Sequence, residues 1–369
     1  MNEARRTQSS AYMLWAKTRS QARFNLASSG LINYQLSELD VSLADIELSG
    51  PSWYGYEPLQ QAIAAKCGVT TDSVVAATGT SMANHLVMAA LLQPGDEVLI
   101  EQPTYELLVA TARYFGADVK RFARPFAHNW RIDMAEIERQ ISTRTRLVVL
   151  TNLHNPTSVY VDEETLQAIG EIARGVGARV LVDEVYLDAL FERAPCSAFH
   201  LGAEFVITNS LTKVYGLSGL RCGWLLAAPE LAAHLWRLND LFGVIAAHPA
   251  ERLSCVALAQ LPRIAARARN LLDTNRATFN SFLTTRADLE CPPYEHGTVA
   301  FPRWRGGNVE QLCELLRDKY ETTVVPGHFF DMPEHFRIGL GCEPATLTAG
   351  LERLGAALDE KQQAAGGRQ

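Results

Sequence analysis

From Val74 onward the chain carries short apolar, β-branched runs at regular intervals, and this rhythm narrows the folds open to it more than any other feature. The runs lie at Val74 to Ala77, Val98 to Ile100, Leu147 to Leu150, Val180 to Val182, Phe205 to Thr208 and Cys222 to Ala227, with Asp118 to Phe122 as a seventh candidate. Helical patterns or turn signals such as Pro94-Gly95-Asp96 separate them. Strands that are apolar throughout and alternate with helices predict an α/β fold: a mainly parallel seven-stranded sheet sandwiched by helices.

After about residue 228 the rhythm stops. Pro262 to Leu283 reads as one long helix, with an apolar stripe through Ile264, Ala268, Leu271, Leu272 and Phe279, expected to bridge two domains. Beyond it, helices at Val309 to Tyr320 and Leu347 to Leu358 mix with strands at Thr298 to Phe301, Thr323 to Val325 and His335 to Gly339, giving a smaller α+β domain. A chain of 369 residues exceeds one ordinary core. The expected division is a large domain over 41–262 and a small one built from 1–40 plus 263–369.

A net charge of −7 and a pI near 5.8 leave no basic footprint for nucleic acid or an anionic membrane. Seven scattered cysteines, without a Cys-x-x-Cys pair or zinc spacing, read as the reduced thiols of a cytoplasmic protein. Nor do His85, His128, His200 and His296 have metal-ligand spacing. The first residues lack the apolar stretch of a signal peptide, and no run has the length of a membrane span. Arg5-Arg6 is read as a solvated terminus and Ala364 to Gln369 as a frayed tail.

The chemistry gathers around Ser210-Leu-Thr-Lys213 and the glycine-rich Gly216 to Trp224 that follows. Lys213 sits just past a strand, where catalytic groups collect in α/β folds. A lysine becomes nucleophilic when its amine is desolvated or crowded by cations, and Arg221 is one such cation. Taken alone, the motif is better explained by a surface lysine in a polar loop. Gly79-Thr80-Ser81-Met82 follows a strand and opens a helix expected over Met82 to Leu92, so backbone amides, hydroxyls and the positive helix end face an anion. Thr and Ser are also ordinary N-caps. Arg221 and Ser210 suit the same anion, since a guanidinium meets two phosphate oxygens and a hydroxyl donates a further bond. Asp183 ends an apolar run, where a carboxylate needs a cationic partner or serves as a helix cap. Arg337, on an apolar strand, suits a carboxylate ligand or a buried ion pair.

Together with Asn155-Pro156 and Asp183-Glu184-Val185-Tyr186, these motifs resemble the class I/II aminotransferases, pyridoxal-phosphate enzymes of fold type I, from about Gly30 to Arg337. The resemblance implies pyridoxal 5'-phosphate as cofactor, with Lys213 holding its aldehyde as a Schiff base and acting as the general base. It implies that Thr80, Ser81, Ser210 and Arg221 grip the phosphate, and that Asp183 pairs with the pyridine nitrogen. Tyr105 would stack on the ring, and Asn155 and Tyr186 would bond its phenolic oxygen. Gly30 and Arg337 would receive the substrate's α-carboxylate. Transfer of an amino group between an amino acid and a 2-oxo acid, in a homodimer with shared active sites, is the implied activity. A lyase, cyclase or decarboxylase on the same fold is the alternative, and a catalytically silent binding protein a more distant one. Two positions depart from the family pattern: Gly50 stands where a tyrosine often reaches the partner's phosphate, leaving Tyr54 or Tyr56 as substitutes, and Ser158 replaces the glycine of Asn-Pro-Thr-Gly.

Overall fold

The computed structural model describes residues 7–366. All seven expected strands form: β1 Val74–Thr78, β2 Glu97–Gln102, β3 Asp118–Ala123, β4 Thr145–Thr151, β5 Arg179–Asp183, β6 Phe205–Ser210 and β7 Cys222–Leu226. They make one sheet in the order β1-β7-β6-β5-β4-β2-β3, in which β7 alone runs antiparallel to its two neighbours. Successive residues of each strand enter opposite cores. Val148, Leu150, Val180 and Val182 join one, and Leu147, Val149 and Leu181 the other. Helices Glu57–Cys67 and Glu163–Gly175 cover the first face, and Thr80–Leu91, Glu106–Tyr114 and Pro229–Asn239 the second. Two buried faces explain why the inner strands are largely apolar, whereas the edge strand β3 is half polar and only its Phe122 is buried.

Helix Leu261–Thr284 follows a separate helix, His248–Ala259, and its apolar stripe Ile264, Ala268, Leu272 and Phe279 is buried. Beyond it, three short strands form an antiparallel sheet in the order Val299–Ala300, Phe336–Gly339, Val325–Pro326. Thr322–Thr323, expected to be continuous with Val325, instead pairs in parallel with Phe24–Asn25, so the N-terminal segment packs with the C-terminal part. Helix Pro344–Gly366 is longer than expected at both ends and includes the first residues read as a frayed tail. Residues 367–369 and Arg5-Arg6 lie outside the described residues. Among the described residues no helix is long and apolar enough to cross a membrane, no group of side chains is arranged to hold a metal, and the seven cysteines are unpaired.

Candidate active site

A cavity of about 440 Å³ opens at the C-terminal ends of the parallel strands, where strand ends and the loops after them converge. Thr80, Ser81, Tyr105, Asn155, Asp183, Tyr186, Ser210, Lys213 and Arg221 all line it. Residues far apart in sequence, such as Thr80 and Arg221, 141 positions apart, are therefore neighbours around one space.

Lys213 is half-buried, and its Nζ donates to Ser29 Oγ at 3.2 Å. Burial, and then the Arg337 guanidinium, push its amine down to about 8; Asp183 opposes this, and Arg221 adds less than Arg337 does. The cation that most crowds the lysine is thus not Arg221, its neighbour in sequence, but one 124 positions away.

Asp183 ends β5 between Thr151 of β4 and Thr208 of β6. Asn84 Nδ2 donates to its Oδ2 at 2.8 Å and the Val185 amide to its Oδ1 at 3.1 Å. Thr208 Oγ1 in turn donates to Asn84 Oδ1 at 2.7 Å, which orients the amide. Burial raises the carboxyl to about 6. Among the described residues no side-chain cation pairs with it within salt-bridge distance, so a strand-end carboxylate is held ready, with two donors, for a cation from outside the chain.

At the other end of the cavity, helix Thr80–Leu91 begins at Gly79, whose φ is +76°. The helix starts two residues before the expected Met82. Thr80 Oγ1 is buried and unpartnered, as is Thr212 Oγ1. Ser81 is exposed, and Ser210 is buried with its Oγ accepting from the Thr212 amide at 3.3 Å. Among the described residues Arg221, at φ +51°, donates only to the carbonyls of Ser218 and Thr78, each at 3.3 Å. A Cβ on Gly79 would lie 2.4 Å from Arg221 Nη2, and one on Gly223 would lie 2.5 Å from the Gly79 backbone. Two glycines therefore let the turn, the strand and the guanidinium close on one another. Unsatisfied hydroxyls, a free helix N-terminus and an arginine without an acidic partner make a cradle that fits a phosphate.

Arg337 is fully buried and does not line the cavity. Its Nη1 donates to Asn155 Oδ1 at 3.0 Å, and its Nη2 to the Tyr12 hydroxyl at 2.9 Å and the Ala27 carbonyl at 3.1 Å, while Nε has no partner. No carboxylate of the described residues pairs with it, which disfavours the ion-pair alternative. Tyr12, from helix Ala11–Thr18, lies over it and meets Tyr105 edge-on at 5.7 Å. The Tyr105 hydroxyl approaches Met13 Sδ at 3.5 Å. Gly30 also falls outside the cavity: a Cβ there would lie 3.3 Å from Lys213 Cδ, so the residue makes room for the lysine stem, and Ser28 and Ser29 take the place at the cavity wall.

At the back wall of the cavity, which Thr151 and Asn155 line, and behind it lies a group of buried polar residues of which sequence reasoning singled out only Asn155. Glu101 of β2 and Arg124, just after β3, have no exposed side-chain surface and pair at 2.8 Å. Thr151 donates to Glu101 Oε1 through both its amide and its hydroxyl, each at 2.7 Å. The Asn155 amide donates to Thr151 Oγ1 at 2.9 Å. His154, which burial keeps neutral, lies within hydrogen-bond distance of Thr157 Oγ1 at 2.6 Å and the Pro103 carbonyl at 2.9 Å. The sequence signal for the ion pair is a charged residue within or beside an apolar run; for Asn84, which holds Asp183, it is a polar side chain among the buried residues of its helix.

Both departures have local causes. Ser158 takes φ +61°, where a glycine would be free of strain, and its Oγ donates to the Val299 carbonyl at 2.7 Å. Gly50 faces His248: a Cβ there would come within 2.3 Å of the imidazole Nε2, so this packing excludes a tyrosine. Tyr56 is engaged within the chain, its ring edge-on to His248 at 4.9 Å and its hydroxyl accepting from Arg252 at 3.4 Å, whereas Tyr54 is about half exposed.

Comparison with known proteins gives this arrangement its family. The family model for aminotransferase class I and II matches residues 39–354. Capreomycidine synthase of Streptomyces vinaceus is 30% identical over 345 residues, covering 90% of this chain and 88% of that protein. A pyridoxal-phosphate-dependent aminotransferase from Streptococcus suis superposes with a TM-score of 0.87 at 26% identity, over 94% of this chain and 96% of that one. The pyridoxal-phosphate-dependent cyclase OrfR does so with a TM-score of 0.88 at 25% identity, over 97% and 98%. Because the family match runs across both ends of the cavity and most of the sequence, the chain belongs to the aminotransferase class I and II family.

Proposed function

We propose that this chain is an aminotransferase that uses pyridoxal 5'-phosphate to move an amino group between an amino acid and a 2-oxo acid. The observation that carries the reading is Lys213, a lysine whose amine is pushed down to about 8 by burial and by Arg337, in the same cavity as an unpaired buried carboxylate and an anion cradle. When bound, the cofactor supplies an aldehyde for amine exchange and a ring that takes up the electron pair released at the substrate's Cα.

The residues divide that work. Thr80, Ser81, Ser210 and Arg221 hold the phosphate, with the amides that open helix Thr80–Leu91. Asp183, oriented by Asn84 and Val185, keeps a proton on the pyridine nitrogen. Tyr105 packs against the ring, and Asn155 and Tyr186 bond the phenolic oxygen. Arg337 receives the α-carboxylate once the Tyr12 hydroxyl yields its place on Nη2. Lys213, whose amine loses its charge above pH about 8, would hold the cofactor's aldehyde carbon and would serve as the base toward the substrate's Cα proton. Helix Ala11–Thr18 covers Arg337 and limits water there. The homodimer, with Tyr54 rather than Tyr56 reaching the partner's site, belongs to the same proposal, as does a reducing cytoplasm as the setting of its unpaired thiols.

A second reading, cyclisation or another reaction at the same Cα, is favoured by the likeness to capreomycidine synthase and to the cyclase OrfR. The two readings part on the fate of the cofactor. A panel of amino acids is added to the holoenzyme, and the bound cofactor and the released product are measured. Transamination leaves the aminated cofactor and one equivalent of 2-oxo acid; cyclisation or elimination regenerates the aldehyde form with a rearranged product. A donor that gives only the latter would replace the first reading with the second.

A further inference from the structure

We infer that Thr151, backed by the buried Glu101–Arg124 ion pair, positions Asn155 and so sets the pH at which the bound cofactor ionises. The inference rests on the role given above to Asn155.

Two buried charges bring no net stability by themselves, since their desolvation offsets most of their attraction. Here the carboxylate does more than meet its partner. One oxygen, Oε2, takes Arg124, and the other, Oε1, accepts both the amide and the hydroxyl of Thr151. A hydroxyl whose single proton is committed to a carboxylate presents only lone pairs elsewhere, so it can only accept from its next neighbour. That neighbour is the Asn155 amide at 2.9 Å, and the Asn-Pro turn begins where this bond holds it. Glu101 and Thr151 lie on strands that pair directly, and Arg124 follows the strand on the other side of β2. The relay is thus built across the three neighbouring strands β4, β2 and β3 at one side of the sheet.

The far end of the relay is the amide side chain of Asn155. Its Oδ1 is taken by Arg337 at 3.0 Å, and its Nδ2 has no partner among the described residues while the residue lines the cavity. With backbone and Oδ1 both fixed, only the donor is left to face the cofactor. The neighbouring loop is tied to the same cluster, because His154 spans to the carbonyl of Pro103, two residues before Tyr105. A donor on the phenolic oxygen favours its anionic form and lowers the pH at which the bound cofactor changes colour. Thr151 is then a positioning residue that acts through Asn155.

The test is an absorbance titration of reconstituted holoenzyme with pH, alongside thermal melting. In Thr151→Val, which keeps the shape but removes the hydroxyl, the colour change is expected to move up by about one pH unit. Thr151→Ser is expected to restore it. In an Asn155→Ala background, Thr151→Val is expected to add no further shift, because both changes remove the same donor. A Thr151→Val protein that melts lower yet keeps its colour change would reduce Thr151 to a structural role and overturn the inference. If Asn155→Ala itself leaves the colour change unmoved, the assignment of Asn155 fails and the relay with it; if Asn155→Ala shifts it and Thr151→Val does not, the relay alone fails. Should the valine variant not fold, Thr151→Ala carries the same comparison.

Discussion

Lys213 concentrates the electrostatic cost of the site in one side chain. Its amine is pushed down to about 8 from an ordinary value of 10.5, first by burial and then by Arg337. Below pH 8 the amine is charged in the folded and the unfolded chain alike, and the folded state bears its desolvation. Between about 8 and 10.5 the unfolded chain keeps the proton that the folded one has lost, so the stability of the cofactor-free protein rises with pH across that window. Above it both are neutral. Cofactor-free Lys213→Met is therefore expected to melt above the wild type at pH 7, the gap closing as pH approaches 10.5. Equal melting temperatures at both ends of the window would mean that the amine is not desolvated. The same depression makes the lysine a nucleophile near neutral pH, so its instability and its reactivity have one cause.

At the scale of elements, the phosphate cradle depends on how closely the turn after β1 approaches β7. Gly79 and Gly223 touch through their backbones, and any side chain at 223 would drive into the Gly79 main chain at 2.5 Å. The antiparallel direction of β7 brings Gly223, at the β1 end of the ladder, opposite Ala77. Gly223→Ala is expected to move the turn, with its Thr80 hydroxyl and helix amides, off the phosphate and to weaken cofactor binding about 10- to 100-fold, the size of one lost charge-assisted hydrogen bond. Gly219→Ala, where a Cβ meets nothing within 4 Å, serves as the control and should bind as the wild type does. Titration of the cofactor-free proteins with pyridoxal phosphate measures both, and equal affinities would show that the close approach does not set the cradle.

The whole molecule presents apolar side chains that a monomer has little reason to expose. Leu43, Leu48 and Trp53 are 89%, 85% and 87% exposed, and Leu241 is 77% exposed. The two stretches meet around helix His248–Ala259: Arg252 bonds the carbonyls of Ala44 and Asp45, and Leu241 to Ile245 lead into its first turn. Exposed apolar groups in this number mark an interface. We take it as the contact of the proposed homodimer. Leu48→Glu with Trp53→Glu is expected to yield a monomer by sedimentation, with most activity lost, since a shared site needs both subunits. A doubly charged variant that stays dimeric would place the interface elsewhere.

The sequence by itself determined the local events. Apolar runs located six strands, because a strand buried on both faces must be largely apolar, with the half-polar edge strand Asp118–Ala123 added as a seventh candidate, and motif spacing brought out Lys213, Asp183, Asn155 and Arg221, which line one cavity. What only the tertiary structure decided are pairings between residues far apart in the chain. Asn84 orients Asp183, Thr151 joins Glu101 to Asn155, Arg337 crowds Lys213, and His248 closes the space at Gly50. Of these, Asn84, Thr151, Glu101 and His248 are unremarkable in their own segments. A buried polar group needs a partner, but the need leaves no trace of where along the chain that partner lies; the sheet order and the return of the N-terminal segment settle it.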